Sequence, residues 1–267
     1  MAAGLALLSG CFLTSAKVHR ATSPETRPYF CNAVGDGTPL GGHGNGNHVH
    51  PIYEGMTKGE LSWDDCLALA EHLDRAEDAV EGLHTRGAGE AAGWREIAQY
   101  IEGLGTHHVR GSFNPGNPAP GGGFDPARPT FLIYGGTTPD APLVGLSYAA
   151  PGTADPPPAF AGTNDWWHLH QKVCFGPNGD ILAGAEEIPD EECAALGGRQ
   201  IDLGPGIWLL HIWIVPFYQV KLDVFASGHP CLGETGPLPR EDECWALANR
   251  DPRDGLPPGH GEHDHGS

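Results

Sequence analysis

His168 and His170 stand one residue apart in WWHLHQKVCF, a segment patterned as a β-strand. Side chains on a strand alternate with a period of two, so both imidazoles fall on one face, near enough to share an ion. His211 lies in the middle of GIWLLHIWIVPF, a second strongly apolar strand. If the two strands are neighbours, a third imidazole reaches the same point. Three neutral imidazoles form the ligand set of a zinc site completed by water or substrate, and they suit copper or iron as well. The expectation is one transition-metal or zinc ion per chain, with copper or zinc favoured and iron possible. Asp165 and Gln171 are the candidate acceptors for the ring N–H groups. The plain alternative makes His168 and His170 polar residues on the wet face of an edge strand. Against it stand Trp166, Trp167, Trp208 and Trp213, expected to wall the site. Packing these rings beside uncoordinated imidazoles would carry a desolvation cost.

His107 and His108 follow in GLGTHHV. Neighbours in an extended segment point to opposite sides, so one ligand is expected from the pair. His108 is assigned as the fourth ligand and His107 as a pocket residue; a turn with one exposed and one packed histidine is the alternative. His48 and His50 repeat the one-residue spacing in NHVHP, with His43 close by. They are candidate ligands from an N-terminal arm, for the same centre or a second one, against the alternatives of a metal-scavenging or merely polar loop. His260, His263 and His265 read as compositional, weak metal binders at most. HExxH, GxSxG, a Walker loop, a dinucleotide-binding glycine pattern after a strand, CxxC and CxxCH do not occur.

The elements that must position these residues begin with a helix. Ser62 precedes WDDCLALAEHLDRAEDAVEGL, with Asp65 at the capping-box position and Cys66, Leu69, Leu73, Ala76 and Val80 at helical spacing. A second helix is expected over 90–102, with Trp94, Ile97, Ala98 and Ile101 as its stripe and Gly103 as its stop. Strands are expected at 130–134, in PLVGLSYAAP, in WWHLHQKVCF up to the PNGD turn, and in GIWLLHIWIVPF. Residues 181–204 read as a loop carrying a short acidic helix near 190–196. The expected class is α+β, an antiparallel β-sheet core with an N-terminal helical pair on one side, turn-rich and disulfide-bonded. The 40 glycines and 25 prolines support the turns.

Cysteine counting agrees with export. Setting aside Cys11 leaves six of the seven, and short loops favour Cys174–Cys193 and Cys231–Cys244, with Cys31–Cys66 as the third pair. Leu8-Ser9-Gly10-Cys11 looks like a bacterial lipobox, although no basic residue precedes it. The expected organisation is a signal or lipobox-like segment at 1–11, a tether at 12–30, a single metal-binding domain at 31–248 and a disordered histidine-containing tail at 249–267. The location is extracytoplasmic, secreted or lipid-anchored to the envelope, with membrane contact only through the anchor. A formal net charge of -19 makes nucleic acid and anionic membrane poor partners and attracts cations. A metal ion is the expected partner, and a small-molecule substrate a possible one.

The succession GLGTHHVRG, FDPARPTFLIYGG, LVGLSY and LLHIWIV resembles a broad group of exported bacterial proteins and lipoproteins without assigned function. Their shared segments read GxGxH, D-P-x-x-P-x-x-L-x-Y, L-V-G-x-x-Y and L-H-x-W, covering about residues 100–231 here. IVPFYQV stands where that group continues with an Asn-Pro segment. The resemblance implies that His107 or His108 belongs with His211, and it implies no reaction. The residues themselves suggest a histidine-ligated protein handling copper or zinc. The alternatives are a metalloenzyme (copper or iron oxidoreductase, or zinc hydrolase) with Asp165, Glu102 or Tyr148 as acid–base partner, and a tryptophan-lined binding module.

Overall fold

The computed structural model describes residues 29–32, 58–113, 124–184 and 188–250. The expectations placed on Cys11, His43, His48, His50, the tether before residue 29 and the tail beyond 250 fall outside them.

Helix α1 spans Trp63–Asp78. Its cap forms as the sequence implies: Ser62 Oγ accepts from the Asp65 backbone N–H and donates to the Asp65 carboxylate. Cys66, Leu69, Leu73 and Ala76 form the buried stripe. The Cys31–Cys66 disulfide ties that stripe to a 3-10 turn at Tyr29–Cys31.

The second expected helix does not form. Helix α2 covers only Arg86–Ala91, capped by Thr85 Oγ1, and Gly93 at φ +90° breaks it off. Residues Trp94–Ile101 are instead strand β1. Two glycines with positive φ, Gly103 and Gly105, turn the chain straight back into β2, Gly105–Arg110, which supplies an antiparallel partner at once. Register shifts between Glu96 and Ala98, and again before Ile101, disturb the strand alternation. Those irregularities bury Trp94, Ile97 and Ala98 together, and so imitate helical spacing in the sequence.

Strands β3 (Phe131–Tyr134), β4 (Leu143–Pro151), β5 (His168–Phe175) and β6 (Ile181–Gly184) follow, then helix α3 (Asp190–Ala195), strand β7 (Arg199–Ile212) and helix α4 (Glu243–Ala248). The sheet is not the open antiparallel layer expected. It closes into a seven-stranded barrel in the order β1-β2-β3-β4-β7-β5-β6. Every neighbour is antiparallel except at the β6–β1 seam, which is joined in parallel through Ala98 and Ile181. Two features produce the closure. The 14-residue β7 pairs with β5 over 199–209 and with β4 over 207–212, so that 207–209 are held on both edges. The loop expected after PNGD contributes β6, which returns on β5 and reaches β1.

Closure gives the strands an inside and an outside. Ile97, Val109 and Phe131 cluster with Phe113, Ala149, Ile181 and Leu209; the strand members come from six different strands and meet only in the interior. Alternate residues, including Leu132, Tyr134, Leu146, Tyr148, Trp208, Leu210 and Ile212, point outward into the larger core against α1. The other two cysteine pairs are Cys174–Cys193 and Cys231–Cys244, so all three expected disulfides are formed. Three disulfides fit an oxidising, extracytoplasmic environment. Among the described residues no helix is long and apolar enough to cross a membrane.

Candidate metal centre

The interior positions nearest one end of the barrel are histidines. His107 on β2 shares the face of Val109, which pairs with Phe131. His211 on β7 shares the face of its partner Ser147. His168 on β5 lies opposite Leu209, two residues from His211. Although β2 and β7 are separated by two strands, the curl brings His107 Nε2 to 3.3 Å from His211 Nε2. The rings of His211 and His168 are 5.0 Å apart between centroids, and those of His168 and His170 4.9 Å. The row runs from the buried His107 and His211 to the half-buried His168 and His170.

The tautomer of His211 follows from its partner. Nδ1 lies 2.7 Å from the Ser227 carbonyl oxygen, which only accepts, so Nδ1 carries the hydrogen and Nε2 presents its lone pair. That is the outer hydrogen bond expected of a metal-ligating imidazole. Burial, reinforced by His211, His108 and His170, holds the His107 pKa well below the usual histidine value and keeps this ring neutral. Its Nδ1 is buried without a hydrogen-bond partner. Two nitrogens each about 2.0–2.1 Å from a tetrahedral ion stand about 3.3–3.4 Å apart. The observed separation matches that value; without an ion it is a hydrogen bond, His107 Nε2–H donating to the His211 Nε2 lone pair. Among the described residues, no three histidine, cysteine, aspartate or glutamate donors are already grouped around one point.

His108, expected as the fourth ligand, lies on the face of β2 away from His211. Both faces of β2 are buried, and His108 takes the outward one. Its Nε2 is 3.2 Å from Thr106 Oγ1, and its ring stands edge-on to Tyr134. Burial, with Arg86 as a lesser cause, lowers its pKa to about 4. The expected tryptophan wall reduces to Trp213, whose ring centroid is 5.8 Å from that of His211. Trp167 and Trp208 pack in the outer core, and Trp166 lies under the Lys58 ammonium. All four tryptophans are buried, so they offer no exposed stacking platform. Asp165 accepts from the Phe160 N–H and its pKa is pushed up to about 7, chiefly by burial. Tyr148 donates to the Pro126 carbonyl on the outer face, and Gln171 and Glu102 are exposed.

Comparison with known protein families, with curated proteins and with solved structures finds no match.

Three contributors have no signature in residue spacing. Ser147 faces inward directly opposite His211, fully buried, and its Oγ has no hydrogen-bond partner. Lys58 and Asp223 form a buried ion pair at 2.6 Å. Asp223 also accepts from the Phe225 N–H, while Lys58 Nζ lies 3.4 Å from the Phe225 carbonyl. The same short segment then offers the Ala226 carbonyl to Trp213 Nε1–H and the Ser227 carbonyl to His211. His229, by contrast, is a satisfied core histidine: Nε2–H donates to the Tyr218 carbonyl and Nδ1 accepts from the Cys231 N–H.

Proposed function

We propose that the chain is an exported metal-binding protein that holds one copper or zinc ion through His107, His211 and His168, with His170 adjoining them. What carries the reading is the facing His107–His211 pair, with His211 oriented by the Ser227 carbonyl and His107 kept neutral by burial. Neutral imidazoles bind an ion without first losing a proton, so the pair is ready at neutral pH. An acidic surface of net charge -19 raises the local cation concentration around the barrel. Lipid anchoring through Cys11 belongs to the same reading; fatty-acid labelling that persists in a Cys11→Ser variant would remove that part.

The test is elemental analysis of the full chain without an added tag, beside a His107→Gln/His211→Gln variant. His260, His263 and His265 are present in both proteins and cancel in the difference. The expected result is about one tightly held ion per chain in the parent, lost in the variant while its circular dichroism stays native. Absence of stoichiometric metal in the parent after remetallation overturns the reading.

A further inference from the structure

We infer that the metal centre keeps one coordination position for an exogenous small oxygen donor or anion, and that the Ser147 hydroxyl is the group that hydrogen-bonds it. This inference rests on the metal-binding reading above.

The inward face of β4 is lined by Gly145, Ser147 and Ala149, whereas Leu143, Leu146 and Tyr148 face the larger outer core; a register shift beside Gly145 turns Val144 towards Ile133 and Trp213. The three small residues meet different surroundings. At Gly145 the space is taken: a Cβ there would lie 2.5 Å from the Trp213 ring. Ala149 packs with the interior apolar cluster. Ser147 alone brings a polar atom, directly across the ladder from His211, fully buried and unpartnered. Buried hydroxyls are normally satisfied, and an alanine would line the same wall without leaving a polar atom unpaired.

The dimensions agree with a ligand between the two residues. Side chains directly opposite on antiparallel strands start about 4.5–5.5 Å apart at Cβ. An oxygen about 2.1 Å from the ion and about 2.7 Å from a hydroxyl, bent as ligand oxygens are, sets ion and Oγ about 4–5 Å apart. Ser147 sits on the wall, and the imidazole reaches inward from the strand beside it. A serine hydroxyl donates to an anion or hydroxide and accepts from water, so it serves each of these ligands. The half-buried His168 and His170 mark the accessible end of the row, where a small ligand enters. Such a centre exchanges its outer ligand, unlike a sealed structural site whose protein donors fill the shell.

The experiment uses the full chain loaded with copper(II), its metal content measured first, then titrated with azide. The ligand-to-metal absorption band is followed in the parent and in Ser147→Ala and Ser147→Thr variants. The parent is expected to bind one azide per copper. Ser147→Ala should keep its copper and lose about tenfold in azide affinity, the worth of one hydrogen bond to a charged ligand, and Ser147→Thr should recover most of that loss. Full copper occupancy with no azide binding, or with equal affinity in the parent and Ser147→Ala, overturns the inference and leaves metal binding standing. Failure to take up copper at all overturns both, and the prior metal count separates the two cases.

Discussion

Replacing Lys58 by methionine should be among the most damaging single changes remote from the imidazoles. The ion pair is short, 2.6 Å, and its side chains are only 2% and 5% exposed. Methionine keeps an unbranched chain of similar length but removes the charge, and with it the ammonium over Trp166, leaving the Asp223 carboxylate buried with the Phe225 N–H as its remaining donor. Breaking such a pair from one side costs about 3–5 kcal/mol, because the surviving charge is uncompensated. A domain stable by about 5–15 kcal/mol loses a large part of its margin. Urea unfolding under oxidising conditions measures the loss as a shift in midpoint at constant slope. Adding Asp223→Asn removes the orphaned charge while keeping an acceptor for Phe225, and should restore about half of the lost stability. Through residues 223–227 the pair also holds the carbonyl that orients His211. The folded Lys58→Met protein should therefore bind its metal about 10–100-fold more weakly. A loss below about 1 kcal/mol would refute the electrostatic argument. A destabilised variant with unchanged metal affinity would refute the link to His211.

Two further outcomes are expected. Asp165 has a folded pKa near 7, above the ordinary carboxyl value, so its protonated form favours the fold. That contribution is complete below about pH 4 and is lost as pH rises through 7, about 2–4 kcal/mol in all. An Asp165→Asn variant should lack this component, so the stability difference between the two proteins should change across the same range, and parallel pH curves would exclude the assignment. The second outcome separates the adjacent histidines. His108→Gln should lower stability by about 1–3 kcal/mol through its lost buried contacts and leave the metal content unchanged, whereas His107→Gln should lose metal. Elemental analysis paired with thermal melts decides it, and the opposite pattern would restore His108 as the ligand.

Much of this protein was legible where one local rule governs. Ser62 and Asp65 announce a helix start, and the three disulfides follow from short loops and parity. The strands around His168 and His211 follow from apolar patterning. Misreadings arose where two rules competed. The stripe Trp94, Ile97, Ala98 fits a helix until the irregular pairing with β2 is known. For GTHHVR, alternation says that His107 and His108 diverge, but not which one faces inward. Both faces of β2 are buried, so neither polarity nor exposure marks the phase. Barrel closure was out of reach because it depends on the seam between Ala98 and Ile181, 83 positions apart, and on the double pairing of β7. Ser147, Ser227 and Lys58 act by position alone, and no spacing in the chain announces them.

The double pairing of β7 also sets an order in time. Strands β1 to β4 form an antiparallel meander from nearby sequence and can assemble early, whereas β4 and β5 are held apart until β7 slides between them. His107 is in place with the first hairpin, while His211 arrives on the last strand. The facing pair therefore requires β7 to have joined β4, so an ion held by that pair would not template the early chain.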